Sequence, residues 1–497
     1  MANRDPEPIL AYHERTKHSV VSVRTSRHVL DWECMPRPFK VYPNLEPIPL
    51  PRDFAPSRRP ALAAIAGTMA EVGPSPSLDR TTLAHLLYFT AGVLRRKTYP
   101  GGEMFFRAAA CTGALYHVDL YVVCGTLPDL DAGVYHFAPH DFALRHLRSG
   151  DHRGTLLAAG GDAPALRAAP AVVVATSTFW RNAWKYQART YRHCWWDAGT
   201  LLANLLALAA ATGLPARVVL GFADEPVNRL CDLDVRREVA LCLVPIGDSG
   251  PPPPPSPAAP ALGLETLPLS SREVDYPPIT AAHDASSLAS GAEVAAWRSS
   301  DVARLPAPPG LDTVPEPIEA VILRRGSARA FTEEPIGRAQ LATILVAATR
   351  GIPADSHAGV EPYLIVNAVE GLVPGTYFYD RRGDALTLLR EGDFRRDAGH
   401  LGLGQALPAQ AAADVFWLVD LGPVLARLGS RGYRVAQLEA AVEGGKTYLA
   451  TYALGLGATG LTFFDDDVTA FFSPHAGGKS VMFLMAIGHT ARRPRSS

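Results

Sequence analysis

No cysteine lies beyond Cys242 in this chain of 497 residues, and none of its six cysteines forms a CxxC pair. Cys34, Cys111, Cys124, Cys194, Cys231 and Cys242 therefore read as reduced core thiols, with no disulfide framework and no metal set. There is no HExxH helix, no GxSxG elbow and no spaced Cys/His cluster. Charge of either sign is not in excess: the net charge is −1 and the pI about 7.0. That removes the general case for nucleic acid or acidic lipid as a partner. No basic-then-apolar leader precedes Arg4-Asp5-Pro6-Glu7, so a cytoplasmic protein is expected. Charge is also missing from Ala198 to Ala216, which is close to the ~20 residues of a membrane span. Asn204 interrupts that stretch, and a helix apolar all round is equally suited to a protein core or a subunit interface.

What the chain does have is a copy of itself. Arg189, Tyr191 and Arg192 match Arg431, Tyr433 and Arg434 at an offset of 242. Asp197-Ala198 matches Glu439-Ala440, Gly213-Leu214 matches Gly455-Leu456, and Asp224 is expected to match Asp466. Upstream, Val118, Asp119, Tyr121, Gly133 and Tyr135 fall on Val360, Glu361, Tyr363, Gly375 and Tyr377. One register held this long means two copies of one domain. The second copy of the apolar helix carries Glu443 and Lys446, which favours a buried helix over a membrane span.

The expected boundaries are 1–249 for the first domain with an arm over 1–60, 250–309 for a linker and surface segment, and 310–497 for the second domain. Prolines at 36, 38, 43, 47, 49 and 51 keep the arm irregular. An amphipathic helix is expected over Leu78–Arg95, and strands over Val118–Cys124, Ala171–Thr176, Val218–Phe222 and Val239–Ile246. A hairpin partner begins at Tyr135, and the central helix runs from about Cys194 to Ala211, closed by Gly213. Gly250–Gly263 reads as a semi-rigid polyproline spacer, with the residues after it draped over the surface. The second copy lacks about fifteen residues in the loop after its first helix. It then repeats the pattern, with strands at Tyr363–Val366, Tyr377–Tyr379, Val415–Val419 and Val481–Ile487 and a central helix over Val435–Leu454. Interleaved helices and antiparallel hairpins make each half an α+β sandwich.

Two motifs are declined on context. GLGATG at Gly455–Gly460 fits the dinucleotide fingerprint in letters, but it ends a helix and leads into the strand-like Leu461–Phe464, the reverse of what that motif requires. Gly478-Lys479-Ser480 would need a glycine at Ser473 to be a phosphate loop, and it leads into a strand.

Four clusters carry possible chemistry. RRGSARAF at Arg324–Phe331 offers cations and a hydroxyl at a segment start, suited to a phosphate, or else a solvated basic turn. The tail HTARRPRSS contains Arg492, Arg493 and Arg495, either further phosphate ligands or a frayed basic terminus. ACTGALY at Ala110–Tyr116 is a small-residue turn on which a planar ring could lie, or an ordinary strand entry. Lys185-Tyr186 could serve as an acid/base pair, or as two surface residues.

In this order the clusters resemble the FMN-dependent nitroreductase superfamily, and within it the SagB/ThcOx branch that contains the azoline dehydrogenases of modified-peptide biosynthesis. RRGSARAF is similar to the flavin-phosphate start RRSxRxF. TGALY followed by DLY is similar to the turn PSAGALYPLELY, with Cys111-Thr112-Gly113 in place of Ser-Ala-Gly. KYQARTYR followed by DAG is similar to KYGxRxYR…EAGH, with Asp197-Ala198-Gly199-Thr200 in place of Glu-Ala-Gly-His. The resemblance implies a dimer-like arrangement around long central helices, with FMN held between the two partners. It implies Arg325, Ser327, Arg329, Gln405, Thr462, Phe463 and Arg492 on the phosphate side. Thr112 and Gly113 would form the ring-side turn, and Lys185 and Tyr186 would cover the ring.

The phosphate set is clear only in the second half and the ring-side set only in the first. Arg427-Leu428 stands where Lys185-Tyr186 would repeat, and the counterpart of the turn has become ADSHAG around Ser356. The best cradle candidate in the first half is Arg24-Thr25-Ser26-Arg27. The intact pieces therefore make one composite site in an intramolecular pseudo-dimer, which could itself dimerise. The implied activity is hydride transfer through FMN, either azoline dehydrogenation of a peptide or NAD(P)H-dependent reduction of nitro or quinone compounds. The alternative is a flavin-poor scaffold or peptide-binding component of a modification complex, favoured by the altered turn and the lost histidine.

Overall fold

The computed structural model describes residues 2–67, 76–99, 102–298, 311 and 315–491. Each half is built on an antiparallel sheet of six strands. In the first the spatial order is Pro47–Pro49, Ala143–Ser149, Gly133–Ala138, Val118–Cys124, Ala171–Thr178 and Glu238–Ile246. In the second it is Ala385–Glu391, Gly375–Asp380, Glu361–Val366, Ala413–Val419, Ser480–Gly488 and Gly457–Leu461. Five strands correspond in the same order, and helices cover the sheets, giving the expected α+β sandwich twice.

The two central helices, Thr190–Thr212 and Arg431–Ala453, pack against each other along their length. Their contact is self-complementary. A Cβ on Gly199 would meet the Ala441 Cβ at 2.4 Å, and one on Gly445 would meet the Ala203 Cβ at 2.6 Å. Residues 199 and 441, and 203 and 445, are repeat partners at offset 242, so each glycine faces the other copy's alanine, the signature of a two-fold interface. The apolar helix long enough for a membrane lies inside this interface, with 89% of its window buried.

Buried ion pairs lock the halves. Arg431 and Arg434 donate to Asp224 at 2.6 and 2.7 Å, while Arg189 and Arg192 donate to Asp465 at 3.1 and 2.5 Å. The partner of Asp224 in the repeat is thus Asp465, one residue before the expected Asp466. Both true partners open a helix, Asp224–Leu230 and Asp465–Phe472, whereas Asp466 points outward to Lys17. One residue was lost between glycine turn and helix, and charge pairing rather than letter matching identifies the equivalent.

The arm is also duplicated. The helix Glu7–Arg15 supplies the His13 carbonyl and Thr16 hydroxyl to Arg192, and the helix Pro277–Ala285 supplies the His283 carbonyl and Ser286 hydroxyl to Arg434. His13/His283 and Thr16/Ser286 share an offset of 270 rather than 242, which hid the repeat. Residues 277–286 are therefore not draped over the surface, since Ile279, Ala282, His283 and Ser286 are buried. The proline run does lie along the first half, where Ser256 and the Pro260 carbonyl accept from Thr155 N and Arg148 at 2.6 Å each.

Three further expectations are corrected. The helix expected to reach Arg95 is Arg80–Ala91 and ends at Gly92; a two-stranded hairpin, Val93–Tyr99 with Gly102–Arg107, follows. It accounts for the residues missing from the second half. Val218–Phe222 forms no strand, only isolated bridges, because Pro215 stands where Gly457 begins the corresponding edge strand. That second-half strand, Gly457–Leu461, begins inside the GLGATG run and ends at Leu461, where the strand-like segment was expected to begin.

Candidate functional site

The ring-side turn is held by one carboxylate. Asp197, on the first central helix, accepts from Thr112 N at 2.9 Å, Thr112 Oγ1 at 2.8 Å, Cys111 Sγ at 3.0 Å and His117 Nε2 at 2.7 Å. Behind it, His117 Nδ1 meets Ser177 Oγ at 2.8 Å. Cys111, His117 and Asp197 bring metal-ligand atoms within 4.8 Å of one another, but these contacts are already hydrogen bonds that occupy the carboxylate. Burial, then Asp197, pushes the Cys111 thiol well up, so it stays protonated and donates. Sequence reasoning placed Asp197 in a motif and missed this role. The repeat held the clue, since Glu439 accepts from Ala358 N and Gly359 N in the other half.

Tyr186 closes over the turn. Gly113 has φ of +64°, and a Cβ there would lie 2.8 Å from Tyr186 Oη, so only glycine suits both backbone and neighbour. The Tyr186 ring rests edge-on against His193 at 4.6 Å, and burial with Asp197 raises its hydroxyl pKa. The hydroxyl therefore stays protonated near neutral pH. Lys185 is exposed, its Nζ 5.3 Å from the Tyr186 ring centre.

The second half meets this turn directly. Arg325, just past the helix Ile318–Arg324, donates to the Ala108 carbonyl at 3.1 and 3.3 Å and lies over the Tyr448 ring. Ser327 Oγ is 3.2 Å from Tyr448 Oη, which accepts from Gly460 N at 2.6 Å. That strand leads on to Thr462 and Phe463. Phe463 packs on Trp196 at 5.7 Å, and Trp196 on His193 at 4.9 Å, which returns to Tyr186. Tyr448, which ties cradle to strand, was not anticipated.

Two expected residues stand apart. Gln405 is turned onto its own loop, donating to the Gly402 carbonyl at 2.8 Å. Arg492, with Arg493 and Arg495, lies outside the described residues; Ala491 N donates to the Ala330 carbonyl at 3.2 Å, so the chain runs beside the cradle up to that point.

The donor set suits a phosphate ester. Arg324 is neutralised by Glu316, but Arg325 and Arg329 have no carboxylate partner among the described residues. Two guanidinium groups without a counter-anion fit a phosphate. Thr462 Oγ1 is buried without a hydrogen-bond partner, an orphan that a polar ligand atom would satisfy.

The other pseudo-equivalent position has been rebuilt. Pro60, which begins the helix Ala61–Ala66, bridges Pro317, which begins Ile318–Arg324, so these helices are counterparts. The segment after Ala66 reads GTMAEVGPSPS, with no Lys or Arg. The first-half counterpart of the cradle is therefore this run and not Arg24–Arg27, which stand exposed on and just after the helix Val20–Thr25. On the ring side, Leu428 is buried, Arg427 donates to the His357 carbonyl, and Asp355 staples Leu220 N and Gly221 N. Without the hairpin, a cleft of about 330 Å³ opens beside Glu439 and Glu443. Arg381 enters it, bonding the Val360 carbonyl as Arg107 bonds that of Val118. Two of its charged residues are in ion pairs: Arg381 with Glu443, and Glu361 with Lys479.

The nitroreductase family model matches residues 73–248 and 322–489, one match per half. A solved structure assigned as a nitroreductase, from Anabaena variabilis, superposes with a TM-score of 0.78 at 26% identity, covering 97% of this chain and 99% of that one. MJ1384 of Methanocaldococcus jannaschii, assigned as a nitroreductase, is 23% identical over 173 residues, 35% of this chain and 82% of its own length. The microcin B17-processing protein McbC of Escherichia coli is 27% identical over 158 residues, 31% of this chain and 54% of its own. With both halves matched over more than half of the chain, this protein belongs to the nitroreductase family, as a tandem of two family domains in one polypeptide.

Proposed function

We propose that this nitroreductase-family oxidoreductase uses FMN, one molecule per chain, bound where the halves meet. The observation that carries the reading is the bond from Arg325 of the second half to Ala108, at the head of the first half's ring-side turn. Arg325, Ser327 and Arg329, with Arg492 following, would hold the phosphate; Thr112, Gly113, Thr462 and Phe463 would face the ring. Bound there, FMN would supply the hydride acceptor or donor.

The chain's own groups would do the rest. Asp197 fixes the turn, and the Tyr186 hydroxyl, neutral and next to Gly113, would hold or deliver a proton. Lys185 would orient the substrate at the mouth. Likeness to a microcin-processing protein supports a modified peptide as substrate, with azoline dehydrogenation as the reaction. NAD(P)H-dependent reduction of nitro or quinone compounds is the other chemistry the family supports. Six unpaired cysteines suit a reducing, cytoplasmic setting.

The test is the visible spectrum of the purified protein, followed by reconstitution with FMN. Flavin absorbance is expected, and Lys185→Ala should keep the flavin while turnover falls. A colourless protein that takes up no FMN would leave the scaffold reading. Unchanged turnover would return Lys185 to the surface.

A further inference from the structure

The short helix Val20–Thr25 buries none of its residues. A helix this short depends on tertiary packing, and β-branched residues weaken it further. Three of its six residues are valine. The capping box of Ser19 and Ser22 closes its first turn, but the described residues leave Val21 and Val23 exposed. Val21 on the helix is 69% exposed, and beyond it Val29 is 83% and Trp32 67% exposed. Aliphatic and aromatic groups gathered in the open mark a contact surface.

This strip borders the candidate site. The Trp32 ring meets that of Trp184 edge-on at 5.2 Å, Trp184 Nε1 donates to the Asp31 carbonyl at 2.8 Å, and His28 Nε2 lies 3.0 Å from the Trp184 carbonyl. Trp184 immediately precedes Lys185 and Tyr186. The charges on the strip are unbalanced. Asp31 is paired with Arg272, and Glu33 is the other acid. Arg24, Arg27 and Lys185 have no carboxylate partner among the described residues.

We propose that residues 19–35 dock a polypeptide substrate whose docking segment carries carboxylates beside aliphatic side chains, and so deliver it to Lys185 and Tyr186. The valines and Trp32 take the aliphatic face, and Arg24 and Arg27 take the acids. A small nitroarene or quinone would leave the strip bare. The inference rests on the composite site being the reacting centre.

The test uses the full chain reconstituted with FMN, and two fluorescein-labelled amphipathic peptides, one of glutamate and leucine and one of lysine and leucine. Anisotropy should show binding of the glutamate peptide, weakening with salt. Arg24→Glu/Arg27→Glu should weaken it about tenfold or more and gain the lysine peptide. Val21→Ser/Val23→Ser should weaken it with charges intact, while quinone reduction stays unchanged in both variants. Equal binding of both peptides, or wild-type binding by all variants, would overturn the proposal. So would sedimentation showing a dimer that Val21→Ser/Val23→Ser dissociates, since a second copy would then cover the strip. FMN bound without peptide binding counts against docking alone; peptide bound without FMN counts against the composite site alone.

Discussion

Asp224→Asn is expected to lower unfolding stability by about 3–5 kcal/mol, and Asp465→Asn by as much, because each leaves two buried guanidinium groups unpaired. Arg431 and Arg434 have no other carboxylate within bonding distance among the described residues, and both are fully buried. The variants should differ from wild type in the urea midpoint. Burial pushes the Asp224 carboxyl up, but Arg431 and Arg434 pull it down to about 2. A depressed acid contributes stability above its unfolded pKa near 3.8 and loses it as pH falls through about 2. The pair should therefore stabilise the protein undiminished from neutrality to mild acid. A loss below about 1 kcal/mol for either variant would mean that the halves are held by helix packing and not by these pairs.

Arg325→Ala and Arg329→Ala should each weaken FMN binding by about 1.5–3 kcal/mol, the worth of a charge-assisted hydrogen bond. Riboflavin, which lacks the phosphate, should bind to both variants as it does to wild type. Arg325 carries a second role, since it also bonds the Ala108 carbonyl. Arg329 is exposed and makes no such contact, so it gives the cleaner reading. Equal losses for both ligands would place the phosphate elsewhere.

Much of this architecture was legible in the sequence because a duplicated chain checks itself. Positions 189–192 and 431–434 fixed the central helices, and the uneven survival of motifs pointed to one composite site. What stayed hidden was offset by insertion. The arm repeats at 270 and the sheet at 242, because the first half carries the Val93–Arg107 hairpin and a longer entry. A hairpin with exposed Arg95, Arg96 and Lys97 continues no apolar pattern, so the helix was read through it. Arg24–Arg27 matched a cradle in composition, but Pro60 and Pro317 show which segments are equivalent. Asp197 was seen as a departure from a motif; its fourfold grip on the turn needed coordinates. Gln405 was placed by resemblance alone, and its amide bonds the Gly402 carbonyl of its own loop.

The account turns on how many flavins one chain holds. One half keeps the guanidinium cradle, and the other keeps the turn with its covering tyrosine. The counterpart of the cradle, Gly67–Ser77, has no cation, and the counterpart of the turn staples the halves through Asp355. Loss of charged phosphate ligands costs several kcal/mol, enough to leave a micromolar site empty. The direct measurement is to reconstitute the protein with excess FMN, remove what is unbound, denature it and compare moles of released FMN with moles of chain. The account predicts a ratio near one; a ratio near two would contradict it.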